Sequence, residues 1–178
     1  IMAITKIQSE SLNLADTYAF TGDVTGAGGV NTPSFFAYLG TADQSISDNT
    51  WTKVAVNNEV VDTGSMYDTS TYRFTPTEAG TYYVYGAIFA LQNNMYAAGC
   101  AIYKNGSFYT MGRDNTYSNS RAEVTCTASG HVVMNGSTDY VELYGHIDVT
   151  SGTPKFGGND GTFDWGYQSY FGAYKLIT

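Results

Sequence analysis

The sequence predicts an all-β protein, a two-sheet jelly-roll sandwich of about ten strands with a short N-terminal extension. Three observations carry this. Twenty glycines and sixteen tyrosines in 178 residues, beside many Thr, Ser, Asn and Val, favour strands, because aromatic and β-branched side chains suit a pleated surface. No window sustains a helical apolar period; the nearest, residues 9–18, is short and soon meets glycines. From Ser34 onward, apolar runs of strand length alternate with turn residues at regular intervals, the pattern of a sandwich.

The elements follow in order. Residues 1–32 hold two short patterned pieces, Ile4-Thr-Lys-Ile7 and Tyr18-Ala-Phe-Thr-Gly-Asp-Val24, and a flexible Gly26-Ala-Gly-Gly29 hinge before Pro33. They carry too few apolar residues to fold alone, so this segment is expected to dock on something else. Residues 33–178 form one domain with a buried core. Its expected strands are 34–40, a bent pair over 51–61, one at Phe74, then 82–90, 96–104, 108–112, 120–128, 131–134, 140–149 and 167–177. Asn105-Gly106 is the strongest hairpin signal, since both residues tolerate the positive φ of a type I′ turn. The longest turn region is 150–163, which contains Gly152, Gly157, Gly158 and Gly161.

Residues 56–86 are the most informative stretch. Small polar residues make a turn between Val61 and Phe74, and Pro76 forbids a ladder hydrogen bond just beyond. Gly80 supplies a second turn with freedom for positive φ. From Thr81 to Ala90 the chain reads as a strand buried on both faces. Tyr83, Tyr85, Ala87 and Phe89 point one way, and Tyr82, Val84, Gly86 and Ile88 the other. A strand covered on two sides calls for a packing surface beyond the domain's own core, which is an oligomer signal.

The order Asp62, Tyr67, Phe74, Gly80, Tyr82-x-Val84-x-Gly86 resembles the signature of C1q-like globular heads, relatives of the tumour necrosis factor jelly roll. Pro33-Ser-Phe-Phe-Ala-Tyr-Leu39 resembles their opening strand, Asp139-Tyr-Val-Glu-Leu143 their penultimate strand and Ser169-Tyr-Phe-Gly-Ala-Tyr-Lys-Leu-Ile177 their closing strand. The resemblance covers residues 33–178. It departs at Val56, where such heads usually have Phe, and at Val84-x-Gly86, where aromatics are usual. It implies a non-enzymatic homotrimer in which Tyr85 and Tyr170, with Tyr83 on the same strand face, meet near the threefold. The alternative is that these rings fill the subunit's own core. The N-terminal text joined through glycines to such a head resembles structural proteins of marine bacteriophages. That implies a fibre or capsid-decoration protein on the virion surface, assembled in the host cytoplasm. Other virion proteins would hold residues 1–32, and the head would meet host surface glycans or proteins; the alternatives are a capsid-stabilising protein with no host contact and a free carbohydrate-binding module.

Composition bounds the chemistry. Sixteen acidic and eight basic residues give a net charge of −8 without a basic cluster, which argues against nucleic acid and anionic membranes as partners. No apolar run approaches a membrane span and no secretory leader is expected. Cys100 and Cys126 either pair across neighbouring strands or stay buried as free thiols; two thiols make no disulfide framework and suit a reducing cytosol. No Gly-x-Ser-x-Gly elbow, phosphate loop or motif-marked acid pair is present, so no catalytic residue is assigned. Some C1q-like relatives hold calcium near the trimer apex, and Asp43, Asp48, Asp114, Asp148, Asp160 and Asp164 fall in or beside expected loops. Without Asp-x-Asp-x-Asp spacing they read as solvated acids, and His131 and His146 lack a third ligand for zinc. Candidates for stacking on sugars or anchoring a partner are Trp51, Phe108, Tyr109, Tyr117, Trp165 and Tyr167, with Asn115, Asn119 and Asp164 for orienting hydrogen bonds.

Overall fold

The computed structural model describes residues 32–40, 42–115, 121–159 and 166–177, and these contain no helix. In chain order the strands are β1 (Ser34–Tyr38), β2 (Gln44–Ser45), β3 (Thr52–Lys53), β4 (Asn58–Asp62), β5 (Tyr67–Asp68) and β6 (Arg73–Phe74). Then come β7 (Ala79–Lys104), β8 (Ser107–Asn115), β9 (Arg121–Asn135), β10 (Val141–Val149), β11 (Lys155–Phe156) and β12 (Tyr170–Lys175). All twelve are hydrogen-bonded into one sheet, and every pairing is antiparallel.

That sheet is folded into two layers by a bend in β7. The register against β9 slips between Leu91 and Met95, and Asn94 takes φ +65° there, a conformation Asn tolerates better than most residues. The halves of β7 then face each other, with Cys100 Sγ 3.7 Å from the Gly86 carbonyl oxygen. The first layer runs β4-β1-β12-β7-β9 through residues 79–91. The second places residues 95–104 between β8 and β10, with β3 and β6 along the far side of β10. β11 joins β2 to the bend at Ala90 and Leu91.

Between the layers the apolar faces interlock. Phe35 stacks on Tyr67 and Phe74 at 4.6 and 4.5 Å and meets Phe171 edge-on at 5.0 Å. Tyr67 hides its hydroxyl by donating to the Val56 carbonyl at 2.6 Å, so an aromatic core keeps no stranded polar group here. Cys100 and Cys126 are buried between the layers and form no disulfide, and burial raises the Cys100 pKa well above an ordinary thiol's.

Several expectations change. Strands expected at 120–128 and 131–134 are one strand, because Gly130 keeps regular register opposite Val84. Gly80 does take positive φ, +154°, but inside β7 rather than in a turn. Of the long turn expected over 150–163, the described part, 150–159, is interrupted by β11. Asn105 and Gly106 have φ +52° and +74°, as a type I′ hairpin requires. Within the single chain only one face of residues 81–90 meets the core. Tyr82, Val84, Ile88 and Ala90 are fully buried, whereas Tyr83, Tyr85 and Phe89 are half-exposed on the outer surface of the first layer.

Candidate functional site

The outer surface of the first layer is a field of aromatic rings. Strand register sets it out in rows: Ser34, Tyr174, Tyr83 and His131; then Phe36, Gly172, Tyr85 and Ser129; then Tyr38, Tyr170, Ala87 and Thr127. The rings touch continuously. Tyr83 lies 5.8 Å from Tyr85 and 5.6 Å from Tyr174, Tyr85 lies 6.4 Å from Tyr170, and Tyr38 lies 4.4 Å from Tyr167. Within these rows no Asp, Glu, Lys or Arg appears, on a chain with 24 such residues. Burial, then the neighbouring Tyr170, raise the pKa of the Tyr85 hydroxyl, so this ring stays neutral at neutral pH.

The surface is uneven in a way that suits docking. Tyr83, Tyr85, Tyr170 and Tyr174 wall a hollow of about 390 Å³ whose other side is Thr127, Ala128 and Ser129 of β9. An aromatic ridge thus borders a trough of small hydroxyl side chains. The three sequence-assigned tyrosines, 83, 85 and 170, are brought together here, outside the subunit's own core. Phe36, Tyr38 and Tyr174 join them unassigned, although the alternation within 34–38 and 170–174 carried the signal.

Gly172 shapes the centre of the field. A Cβ there would lie 2.5 Å from Tyr85 Cζ, so the Tyr85 ring lies over the bare backbone of β12. Gly172→Ala is expected to turn the Tyr85 ring away and disturb the face while leaving the fold intact, since β12 is otherwise unchanged. Near-ultraviolet circular dichroism, with the solution mass, checks this.

The outer surface of the second layer holds the other candidates. Trp51 lies across β10 and β7; a methyl at position 99 would meet its Cη2 at 3.0 Å. It contacts His146 at 5.2 Å and Phe108 at 6.1 Å between ring centroids. Tyr103 stacks on Tyr144 at 4.0 Å. Nearby, Glu142, 1 % exposed, is paired with Lys53 and Arg73, and Arg73 stands 4.2 Å over the Tyr140 ring. Tyr109 sits on the β8 edge, where its hydroxyl donates to the His131 carbonyl at 2.7 Å. Asn115 ends β8 opposite Ala97. Tyr117, Asn119 and Trp165 lie outside the described residues, as do residues 1–31, Asp160 and Asp164.

Two of the candidate acids, Asp43 and Asp48, have structural partners. Asp43 faces Lys155 at 3.6 Å and accepts from the Gly158 amide; Asp48 accepts from the Val149 amide at 2.8 Å. Among the described residues no three His, Cys, Asp or Glu side chains are grouped to hold a metal ion. His146 Nε2 faces Asn49 Oδ1 at 2.9 Å. That oxygen can only accept, so Nε2 carries the proton. Nδ1 is then a bare acceptor, buried without a hydrogen-bond partner.

Burial, then Arg113, hold the His146 pKa below its ordinary 6.5, with Asp148 and Asp48 opposing. As pH falls the unfolded chain takes up this proton first. The contribution is fully present above pH 6.5 and is lost below it as the folded ring begins to charge. His146→Gln should therefore flatten the unfolding midpoint between pH 6.5 and about 5, above the carboxylate range. Thermal scans across that interval check it.

No protein-family model and no curated protein matches the chain. Solved structures do. It is similar to the Eiger tumour necrosis factor of S. frugiperda with a TM-score of 0.59 and 13% identity, over 80% of this chain and 91% of that one. It is similar to murine APRIL with a TM-score of 0.57 and 14% identity, over 80% of this chain and 98% of that one. A looser superposition, TM-score 0.48 and 15% identity, over 80% of this chain and 94% of that one, relates it to the globular domain of zebrafish complement 1qA. At such low identity the likeness concerns architecture, and that architecture is the jelly-roll sandwich of the tumour necrosis factor type.

Proposed function

We propose that the chain is a non-enzymatic structural protein of a phage particle, a homotrimeric jelly-roll head that projects from the virion surface and contacts host glycans or proteins. The observation that supports it is the uncharged tyrosine face. Left in water, a contiguous apolar patch of this kind is a liability for a monomer, and such patches mark interaction sites. A second copy is the fitting occupant because the face offers both a ridge and a trough. The aromatic edge of one subunit beyond that ridge, Phe36, Tyr38 and Tyr167, would enter the Thr127–Ser129 trough of the next. Such head-to-tail contacts close into a ring when the rotation allows, and the resemblance to trimeric heads supports a rotation of one third of a turn. Tyrosine suits the seam, since each ring buries a large area and brings a hydroxyl for a cross-subunit bond. Residues 1–32 serve as the attachment segment, joined to the head (33–178) through Gly26–Gly29. Three copies of a weak site raise avidity by roughly 10² to 10⁴.

The experiment has two arms. Light scattering of the purified chain is expected to give about three times the 19.3 kDa chain mass at micromolar concentration. Antibody labelling of phage particles in the electron microscope is expected to decorate the virion surface, and deletion of residues 1–30 to abolish the label. A stable monomer removes the trimer; unlabelled particles remove the virion role. The second reading is a capsid-stabilising protein with no host contact. It predicts that changes on the second layer leave adsorption intact while the 1–30 deletion still releases the protein.

A further inference from the structure

Along one edge of the sandwich the two layers press together. Gly112 of β8 backs onto β9 so closely that a Cβ there would collide with the Thr127 carbonyl oxygen. A Cβ on Gly86 of the first layer would lie 2.5 Å from Leu143 Cδ1 of the second. Cys100 is the register partner of Gly112, and its Sγ crosses the core to 3.7 Å from the Gly86 carbonyl oxygen. Cys126 precedes Thr127 on β9 and is the register partner of Ile88, as Ala128 is of Gly86. The Cys100 thiol therefore rests on the piece of ladder that Cys126 and Ala128 form with β7. Stacked sheets ordinarily stand about 10 Å apart, too far for the Cα separation of roughly 4.4–6.8 Å that a disulfide spans. At Gly86 and Gly112 the missing side chains let the layers come closer.

The two thiols differ in access. Cys100 is 0% exposed and Cys126 5%. Cys126 lines a hollow of about 240 Å³ at the β8 and β9 edges, walled by Gly112, Arg113, Asp114, Thr125 and Thr127. A small reagent entering there meets Cys126 first, with Cys100 behind it. That is the order of a thiol that takes a modification and a second that resolves it.

We propose that Cys126 is a thiolation site for low-molecular-weight disulfides and that Cys100 resolves the adduct into a disulfide linking the two layers. The Cys126 thiolate attacks one sulfur of the reagent, forms a mixed disulfide and expels the other half as a thiolate. The Cys100 thiolate then attacks Cys126 Sγ, the mixed disulfide breaks, and the second half leaves as a thiolate. Each cysteine proton ends on a departing thiolate. Two protein thiols and one small disulfide thus become one protein disulfide and two small thiols. Burial raises the Cys100 pKa, so little of it is thiolate and the second step takes hours rather than seconds. A reducing compartment keeps both thiols, and an oxidising medium closes the link. The site needs neither the trimer nor a host partner.

The test is intact-mass spectrometry of the full chain held with 2-hydroxyethyl disulfide at pH about 8.5, near the ordinary thiol pKa. A species heavier by one hydroxyethylthio group is expected first. Over hours it should give way to a species lighter than the starting chain by two hydrogen atoms. An unreduced proteolytic digest should then join the peptides that carry Cys100 and Cys126. Cys100→Ala should stop at the adduct, and Cys126→Ala should gain none in the time that saturates Cys100→Ala. Linking residues 26 positions apart should raise the unfolding midpoint by roughly 5–10 °C. A native chain whose thiols react only in guanidinium chloride, an adduct that never resolves, a link between two chains, or a linked chain with a lowered midpoint would each overturn the inference.

Discussion

Tyr85→Arg is expected to convert the proposed trimer into folded monomers, lowering the mass seen by light scattering from about three times 19.3 kDa to the single-chain value. Tyr85 stands at the centre of the uncharged rows, between Gly172 and Ser129. A guanidinium there would be taken out of water without a carboxylate, at a cost of several kcal/mol per charge. Near a threefold the cost recurs three times, and the three cations also repel one another. Each 1.4 kcal/mol of that loss is a tenfold change in association. The fold itself should survive, because Tyr85 points away from the core that Tyr82, Val84 and Ile88 fill. Met111→Arg on the opposite face is the control and should leave the mass unchanged. If Tyr85→Arg has the same mass as the unaltered chain, the tyrosine face is not the seam.

The parity that places Tyr85 outward was visible in residues 81–90, since a strand sends alternate side chains to opposite faces. What periodicity did not tell was which face met the core. Both sets are large and apolar, and the choice is made by partners such as Phe74, which packs against Tyr82 at 5.7 Å. The Asn-Gly hairpin was legible because its φ requirement is local. The two-residue strands were not. β5 and β6 exist because Asp68 organises their turn, accepting from the Ser70 and Thr71 amides and hydroxyls. Tyr72 closes that turn at φ +57°. β11 exists because Leu91 and Ser45 bracket it, and neither neighbour is near it in sequence. Trp51 read as a ring at a turn edge. Its place over Gly99 depends on a glycine 48 positions away, which no local pattern reports.

Phe35 and Phe36 offer the sharpest separation of fold from assembly, because they are adjacent on β1 and face opposite ways. Phe35, 2% exposed, is the ring that Tyr67, Phe74 and Phe171 surround. Phe35→Ala removes its burial and leaves a cavity among rigid rings, so a loss of about 3–5 kcal/mol is expected. That is a large part of the 5–15 kcal/mol typical of a domain, and it should lower the melting temperature by roughly 10 °C or more. Phe36 instead contacts Tyr85, Tyr167 and Tyr170 on the outer face. Phe36→Ala should cost the isolated subunit about 1 kcal/mol or less but weaken the trimer strongly, as truncating a central aromatic at an interface does. The two effects mix in a trimer, whose stability depends on concentration. Unfolding is therefore measured in the Tyr85→Arg monomer, and mass in the unaltered background. In the monomer, Phe35→Ala should unfold far earlier than Phe36→Ala; in the unaltered chain, Phe36→Ala should dissociate at concentrations where the proposed trimer persists. Equal losses of stability in the monomer would mean that the outer rings support the subunit itself, and the face would then have no need of a second copy.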